Sequence, residues 1–237
     1  MSVFPFSQTT RRMLLAGGAL VAAAATAAAL TGFTAAPARS GATASSAAPS
    51  PAAPSVPRPV PVTVDPRTTA YLVLDLTTAV CAPNPACVDS LPAAARLLAR
   101  ARAAGALVVY SKTVHPGDSV MPQVAPLPGD PLVTASPDKF IGTDLAQILS
   151  SHGITTLVLV GTKANGAIMY TSLHANVLGY TVIVAVDGVS ADTPYIMHYG
   201  LYQLLNQPGF PNVANMPGTA DAVTLTTTRQ VTFTPAG

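Results

Sequence analysis

The stretch from Leu157 to Thr171 constrains the fold more than any other part of the sequence. It opens with an apolar run, passes through a turn that contains Gly161 and Gly166, and continues at once into a helical pattern. Such a run is typical of a strand that is buried on both faces of a parallel sheet. In these sheets ligands bind at the carboxyl ends of the strands, and the first amides of the next helix attract anions. The turn is therefore a candidate oxyanion or carboxylate site, with Asn165 as the predicted N-cap of the helix.

Strand and helix patterns alternate along the rest of the chain. Further apolar runs with strand character cover residues 70–76, 106–110, 180–187 and 222–226. Helical patterns cover residues 91–104, where Asp89 or Ser90 is the candidate cap, and then residues 143–152 and 194–205. This alternation predicts an α/β domain with a doubly wound, mostly parallel sheet and helices on both faces.

The N-terminal region has the composition of an export signal and a linker. Arg11 and Arg12 precede an alanine-rich apolar run, which is typical of a twin-arginine signal, and Ala36-Pro37-Ala38 is a candidate cleavage site. The alternative is an uncleaved anchor, because the run approaches the ~20 residues that span a bilayer. We expect an exported, extracytoplasmic protein with a signal at residues 1–38, a Pro/Ala/Ser linker at 39–66 and a folded domain at 67–237.

The charge of the folded part excludes one class of partner. From residue 67 onward the sequence has eight lysines and arginines against nine aspartates, so the domain is nearly neutral. A nucleic-acid-binding surface needs a basic patch, and none is present in the sequence. We expect a small-molecule substrate, no nucleic-acid partner, and no stable membrane insertion once the signal is cleaved. The sequence leaves a homo-oligomer open.

The two cysteines, Cys81 and Cys87, are separated by the turn-rich spacer Ala-Pro-Asn-Pro-Ala. In an exported protein this spacing favours a local disulfide. The alternative is that one of them is a reactive thiolate, but neither has a histidine or lysine nearby in sequence to lower its pKa.

Three polar residues stand out as candidates for a functional site. Asp75 ends the first apolar run, and a lone buried carboxylate at such a position needs a partner. Lys139 lies in a loop that can reach the carboxyl edge of the sheet, and the chain has only three lysines. His115 lies in a long loop at residues 111–130, of the kind that often forms the wall of a pocket. A metal ligand set around His115 is poorly supported, so we expect no metal.

These residues resemble the isochorismatase-like hydrolase superfamily, which also contains the nicotinamidases and related cysteine hydrolases. The resemblance extends from Thr69 to Thr226 and rests on Asp75 and on the segment Lys139-Phe140-Ile141-Gly142-Thr143-Asp144-Leu145. It implies that Asp75 and Lys139 are catalytic and that no cofactor is needed. The cysteine nucleophile of the family falls on Ala167 of this chain. The ligands of the zinc-binding nicotinamidases are not matched either, since Thr113 stands where their aspartate would be.

With alanine at position 167, the resemblance implies hydrolysis by a positioned water rather than through a covalent thioester. Asp75 would protonate or direct water, and Lys139 would hold the charge state of Asp75 and bind the substrate. The helix-start amides of Gly166 and Ala167 would bind an anionic group. Asn165 and His115 complete the predicted substrate-binding set. The rival hypotheses are a binding protein of the same fold without turnover and, less favoured, an interaction module of the cell envelope.

Overall fold

The computed structural model describes residues 53–135 and 137–235. The predicted export signal and half of the predicted linker lie outside these ranges. Within them, no helix combines the length and the apolar character that crossing a bilayer requires.

The described chain contains eight strands and four α-helices. The strands are β1 Val62–Val64, β2 Thr69–Leu74, β3 Leu107–Lys112, β4 Leu132–Thr134, β5 Thr156–Thr162, β6 Thr181–Ser190, β7 Val223–Thr226 and β8 Val231–Phe233. The helices are α1 Pro85–Ala103, α2 Leu145–Ser151, α3 Met169–Val177 and α4 Pro194–Leu205.

The main sheet has six parallel strands in the order β4-β3-β2-β5-β6-β7. Every residue of β2 is buried, as expected for a central parallel strand with both faces covered. The predicted doubly wound α/β architecture is therefore confirmed. Because all six strands run the same way, the residues that follow β2, β3 and β5 meet at one edge of the sheet.

Two hydrophobic cores cover the two faces of this sheet. One packs α2, α3 and α4 against alternate residues of the central strands, for example Leu72, Leu159 and Val184. The other packs α1 against the intervening residues, for example Tyr71 and Val160. Alternation of side chains along each strand thus sends consecutive residues to opposite layers, which is the three-layer arrangement that the sequence predicts.

The structure corrects the predicted boundary between linker and domain. Residues before Arg67 already belong to the fold, since β1 pairs with β8 in a separate two-stranded parallel sheet. Farther upstream, the Pro54 carbonyl lies 2.6 Å from His198 Nε2, and the Arg58 carbonyl accepts a hydrogen bond from Asn215. Composition does not predict these contacts, because β1 has only two buried residues, Val62 and Val64. Such a short pattern does not stand out within a proline-rich stretch.

The predicted disulfide between Cys81 and Cys87 is confirmed, and both residues are fully buried. Helix α1 begins six residues earlier than predicted. The helix starts at Pro85, and its cap is Asn84, whose side chain accepts a hydrogen bond from the Cys87 amide. A proline at the first helical position and an asparagine cap are both favourable, so the helix begins within the spacer between the cysteines.

Candidate active site

Asp75 follows directly after β2, at the edge of the sheet where the strand ends converge. Its backbone has a φ of 53°, the left-handed region that aspartate tolerates better than most residues. This conformation turns the chain out of the strand. The Asp75 amide then points to the end of β3, where it donates to the backbone oxygen of Ser111 at 3.3 Å.

The structure brings Asp75 and Lys139 together in a buried ion pair. Lys139 Nζ lies 2.8 Å from Asp75 Oδ2, and the same ammonium donates to the Ala135 carbonyl at 2.5 Å. The second carboxylate oxygen, Oδ1, accepts the Ser111 hydroxyl at 2.8 Å. Lys139 is 0% and Asp75 4% exposed, so both charges are removed from water. A pair in these surroundings depends on complete hydrogen bonding, which Ser111 and Ala135 supply.

The loop that presents Lys139 is held by the residues that follow it. The Thr143 hydroxyl donates to the Lys139 carbonyl at 2.6 Å and accepts the Leu145 amide at the start of α2. The Lys139 amide donates to Thr171 of α3 at 3.3 Å, and the Phe140 side chain is buried. These contacts give a structural reason for the Lys-Phe-x-Gly-Thr pattern, since the backbone of its lysine is held by its own threonine and its phenylalanine is buried beside it in the sequence.

Burial dominates the electrostatics of Asp75. It raises the pKa of the carboxyl above its ordinary value, while the charge of Lys139 and the hydrogen bonds from Lys139 and Ser111 act in the opposite direction. The negative charge of Asp118 adds to the upward shift. A carboxyl whose pKa is raised toward neutrality is better suited to carry a proton during catalysis than an ordinary surface aspartate.

Gly161 allows the end of β5 to approach the end of β2 closely. In the register of the two strands it lies opposite Leu74, the residue before Asp75. A Cβ atom on Gly161 would lie 2.1 Å from the Leu74 carbonyl oxygen, and its φ of 142° is strained for other residues. The glycine thus brings the turn after β5 next to Asp75, as the position of the turn predicts.

The turn after β5 differs in detail from the prediction. It contains a cis peptide between Thr162 and Lys163, followed by a π-helical turn over residues 164–168. Helix α3 begins only at Met169, so Asn165 is not its N-cap and that prediction is wrong. Instead, Asn165 Oδ1 is buried without a hydrogen-bond partner among the described residues.

At the predicted anion site, one of the two amides already has a partner. The Gly166 amide donates to the Lys163 carbonyl at 2.9 Å, so this N–H is already occupied. Ala167, where the resemblance places the family's cysteine, is 3% exposed and packs in the core with α2, α3 and α4. The π-helical turn thus uses the Gly166 amide internally, whereas the prediction assumed the free first turn of an α-helix.

His115 does not join the buried cluster. It is exposed, and its imidazole makes no hydrogen bond with any described residue. Two residues that sequence reasoning did not assign to the site do contribute: Ser111, which binds Asp75, and Asp118, which interacts with it electrostatically. Ser111 was detectable in principle, because it is the first polar residue at the end of the second apolar run.

A cavity of about 260 Å³ lies at the end of β6, lined in part by Ser190, Asp192 and Met197. Asp75, Lys139 and Asn165 are not among its lining residues. Its Ser190 hydroxyl donates to Thr162 of the neighbouring strand β5 at 2.8 Å. Among the described residues there is no group of three or more histidines, cysteines or acidic residues suited to hold a metal ion.

Comparisons with known proteins agree with this fold. The family model described as "Isochorismatase domain" matches residues 69–212. A cysteine hydrolase from Pseudomonas syringae pv. phaseolicola has a similar structure, with a TM-score of 0.60 and 20% identity over 75% of this chain and 95% of that one. For N-carbamoylsarcosine amidase from Thermoplasma acidophilum the TM-score is 0.54, with 22% identity over 68% and 96% of the two chains. The nicotinamidase of Staphylococcus aureus gives 0.54, with 18% identity over 59% and 94%. A search of curated proteins gives no match.

Proposed function

Because the chain belongs to the isochorismatase family, we propose that it is an exported hydrolase that acts on a small molecule without a cysteine nucleophile. One observation carries the cysteine-independent part of this proposal. The chain has two cysteines in all, and Cys81 and Cys87 are bonded to each other. Neither sulfur is then available as a thiolate, and the nucleophile of the reaction is a water molecule.

In this mechanism Asp75 is the proton carrier. Its carboxylate accepts a proton from the water whose oxygen attacks the substrate, and the same carboxyl returns a proton to the leaving group. Lys139 holds Asp75 in its ionised form and in place, while Ser111 fixes the other carboxylate oxygen. The raised pKa of Asp75 supports this role, because a stronger base takes the proton of water more readily.

Asn165 supports a substrate with hydrogen-bond donors. A buried acceptor without a partner costs about 1–3 kcal/mol, and a ligand that donates to it recovers that cost. Small amides and ureas carry such donors. N-carbamoylsarcosine and nicotinamide belong to this class, and two of the structural neighbours are named after them.

The test is a turnover screen of the purified protein against nicotinamide, N-carbamoylsarcosine, small amides and ureas, and isochorismate. For any substrate that is turned over, Asp75→Asn should lower kcat at least about 100-fold, since it removes the proton carrier but keeps an acceptor for Ser111. Asp187→Asn is the matched control, because Asp187 binds the Thr228 amide and hydroxyl rather than the site. Equal activity of the Asp75→Asn variant and the wild type would reject this mechanism.

A second candidate, a binding protein of the same fold, is favoured by position 167, where alanine stands in place of the family's cysteine. Such a protein would keep Asp75 and Lys139 to hold a ligand but would not turn it over. Isothermal titration calorimetry distinguishes the two functions. Saturable binding of a small amide without product formation would support the binding protein.

Export is the third element of the proposal. It is supported by the Arg11-Arg12 pattern and by the disulfide, since such bonds form and persist in oxidising compartments outside the cytoplasm. Replacing both arginines by lysine keeps the charge but removes the twin-arginine pattern. We expect this double variant to stay in the cytoplasm of a host that has twin-arginine transport, whereas the wild type is exported; export of both would contradict the signal.

A further inference from the structure

Asp118 is a buried carboxylate that the proposed mechanism does not use. Its residue is 6% exposed, and among the described residues no lysine, arginine or histidine forms an ion pair with it. A charge in such surroundings is costly unless hydrogen bonds replace the lost water. The contacts of Asp118 therefore show which parts of the chain this buried charge holds.

Asp118 accepts hydrogen bonds from two separate loops. Its Oδ1 accepts the Ala79 amide at 2.9 Å and lies 3.4 Å from the Thr78 hydroxyl, both in the loop that follows Asp75. Its Oδ2 accepts the Thr113 hydroxyl at 3.0 Å, just after β3. One side chain thus joins the loop after β2 to the loop after β3.

The backbones of these two loops pair beside Asp118. The Thr78 amide donates to the Ser119 carbonyl, and the Met121 amide donates to the Leu76 carbonyl, each at 2.8 Å. Between them Thr77 forms an antiparallel bridge with Val120. The Thr77 amide in turn donates to the Asp75 carbonyl at 2.8 Å. The paired segment therefore begins directly after the residue whose carboxylate lies at the centre of the site.

We propose that Asp118 is a positioning residue of the Asp75–Lys139 site, whose ionised carboxylate fixes the loop after Asp75 and sets the charge environment of that side chain. The proposal deepens the proposed hydrolase function and rests on it for its catalytic meaning. Its structural content depends only on the contacts of Asp118.

Electrostatics agrees with this arrangement. Burial opposes ionisation of Asp118, but the hydrogen bonds from Ala79 and Thr113 help to outweigh it, and the pKa of Asp118 is lowered. The charge of Asp118 in turn contributes to the raised pKa of Asp75, against the lowering by Lys139 and Ser111. Environments that shift two neighbouring carboxyls in opposite directions are typical of acid–base sites.

Two variants separate the charge of Asp118 from its hydrogen bonds. Asp118→Asn removes the charge but keeps an acceptor for Ala79, so the titration midpoint of Asp75, followed by carboxyl ¹³C NMR, should fall. Asp118→Ala removes the acceptor, so hydrogen exchange of the Ala79 amide should become about tenfold faster. Asp187→Asn and Asp187→Ala are matched controls, since Asp187 also accepts one backbone amide and one threonine hydroxyl, both from Thr228. They should leave Asp75 and Ala79 unchanged.

An unchanged Asp75 midpoint in Asp118→Asn, or unchanged Ala79 exchange in Asp118→Ala, would overturn the proposal. Neither measurement needs turnover. If no substrate is found, the proposed function is rejected, but the result on Asp118 stands. If a substrate is found, the acidic limb of the pH–kcat profile should move to lower pH in Asp118→Asn. An acidic limb that does not move would show that Asp118 has only a structural role.

Discussion

Lys139→Met isolates what the buried ion pair contributes to the fold. Methionine keeps most of the length of the side chain but removes the ammonium that lies 2.8 Å from Asp75 Oδ2. Asp75 would then be a charge 4% exposed, with the Ser111 hydroxyl as its remaining side-chain donor. Removing one partner of a buried pair costs about 3–5 kcal/mol, so we expect a loss of this size in the free energy of unfolding at neutral pH.

The loss should depend on pH, with a sign that the structure determines. Burial already raises the pKa of Asp75 above 3.8, and removing Lys139 removes the causes that lower it. The folded variant therefore holds the Asp75 proton more tightly than the unfolded chain does. The stability linked to this proton is fully present below the unfolded pKa and is lost as the pH rises through the folded pKa. The variant should thus approach the wild type near about pH 4 and fall behind it at pH 7.

A second substitution provides the rescue. Adding Asp75→Asn to Lys139→Met removes both charges, and the double variant should recover most of the stability at pH 7 because no unpaired ion stays buried. Urea unfolding at pH 4 and pH 7, with the disulfide intact, measures all of these differences.

The matched control is Lys163→Met. Lys163 Nζ lies 2.7 Å from Asp192 Oδ2, almost the same distance, but these side chains are 39% and 46% exposed. An exposed pair contributes about 0–1 kcal/mol. If Lys139→Met costs no more than Lys163→Met, or costs the same at both pH values, then burial does not control this site and the reasoning fails.

Three further predictions follow from the surroundings of the site. Gly161→Ala should destabilise the protein by at least about 3 kcal/mol in urea unfolding, because its Cβ would lie 2.1 Å from the Leu74 carbonyl oxygen; a loss under about 1 kcal/mol would contradict the close approach. The double variant Cys81→Ser/Cys87→Ser should lose only about 2 kcal/mol, since the bond joins residues six apart in sequence, yet protease cleavage before α1 should accelerate; a loss of global stability alone would count against a local role. A thiol introduced by Ala167→Cys should react with iodoacetamide more slowly in the folded protein than in the unfolded one, because this position is 3% exposed; equal rates, measured by mass spectrometry, would show that the site is open.

Local patterns predicted much of this protein. The apolar run before Asp75 predicts β2, and the run before Gly161 predicts β5, because buried parallel strands need continuous apolar residues. The need of Asp75 for a partner, and the position of Lys139 before its Phe-x-Gly-Thr segment, point to the pair that the structure forms. The spacing of Cys81 and Cys87 indicates their bond, since a bond within one turn requires no knowledge of the rest of the fold.

Contacts between segments distant in sequence were decided only by the tertiary structure. Asn165 fits the sequence preference for a helix cap, but the π-helical turn after β5 buries its Oδ1 atom and places the start of α3 beyond it. Ser111 binds Asp75 from a strand 36 residues away, and Asp118 acts on its charge from the loop that follows that strand. Likewise β1 pairs with β8 across almost the whole domain. Periodicity indicates which residues prefer burial. The partner of each residue depends instead on the order of the strands and the course of the loops between them, and no local pattern predicts these.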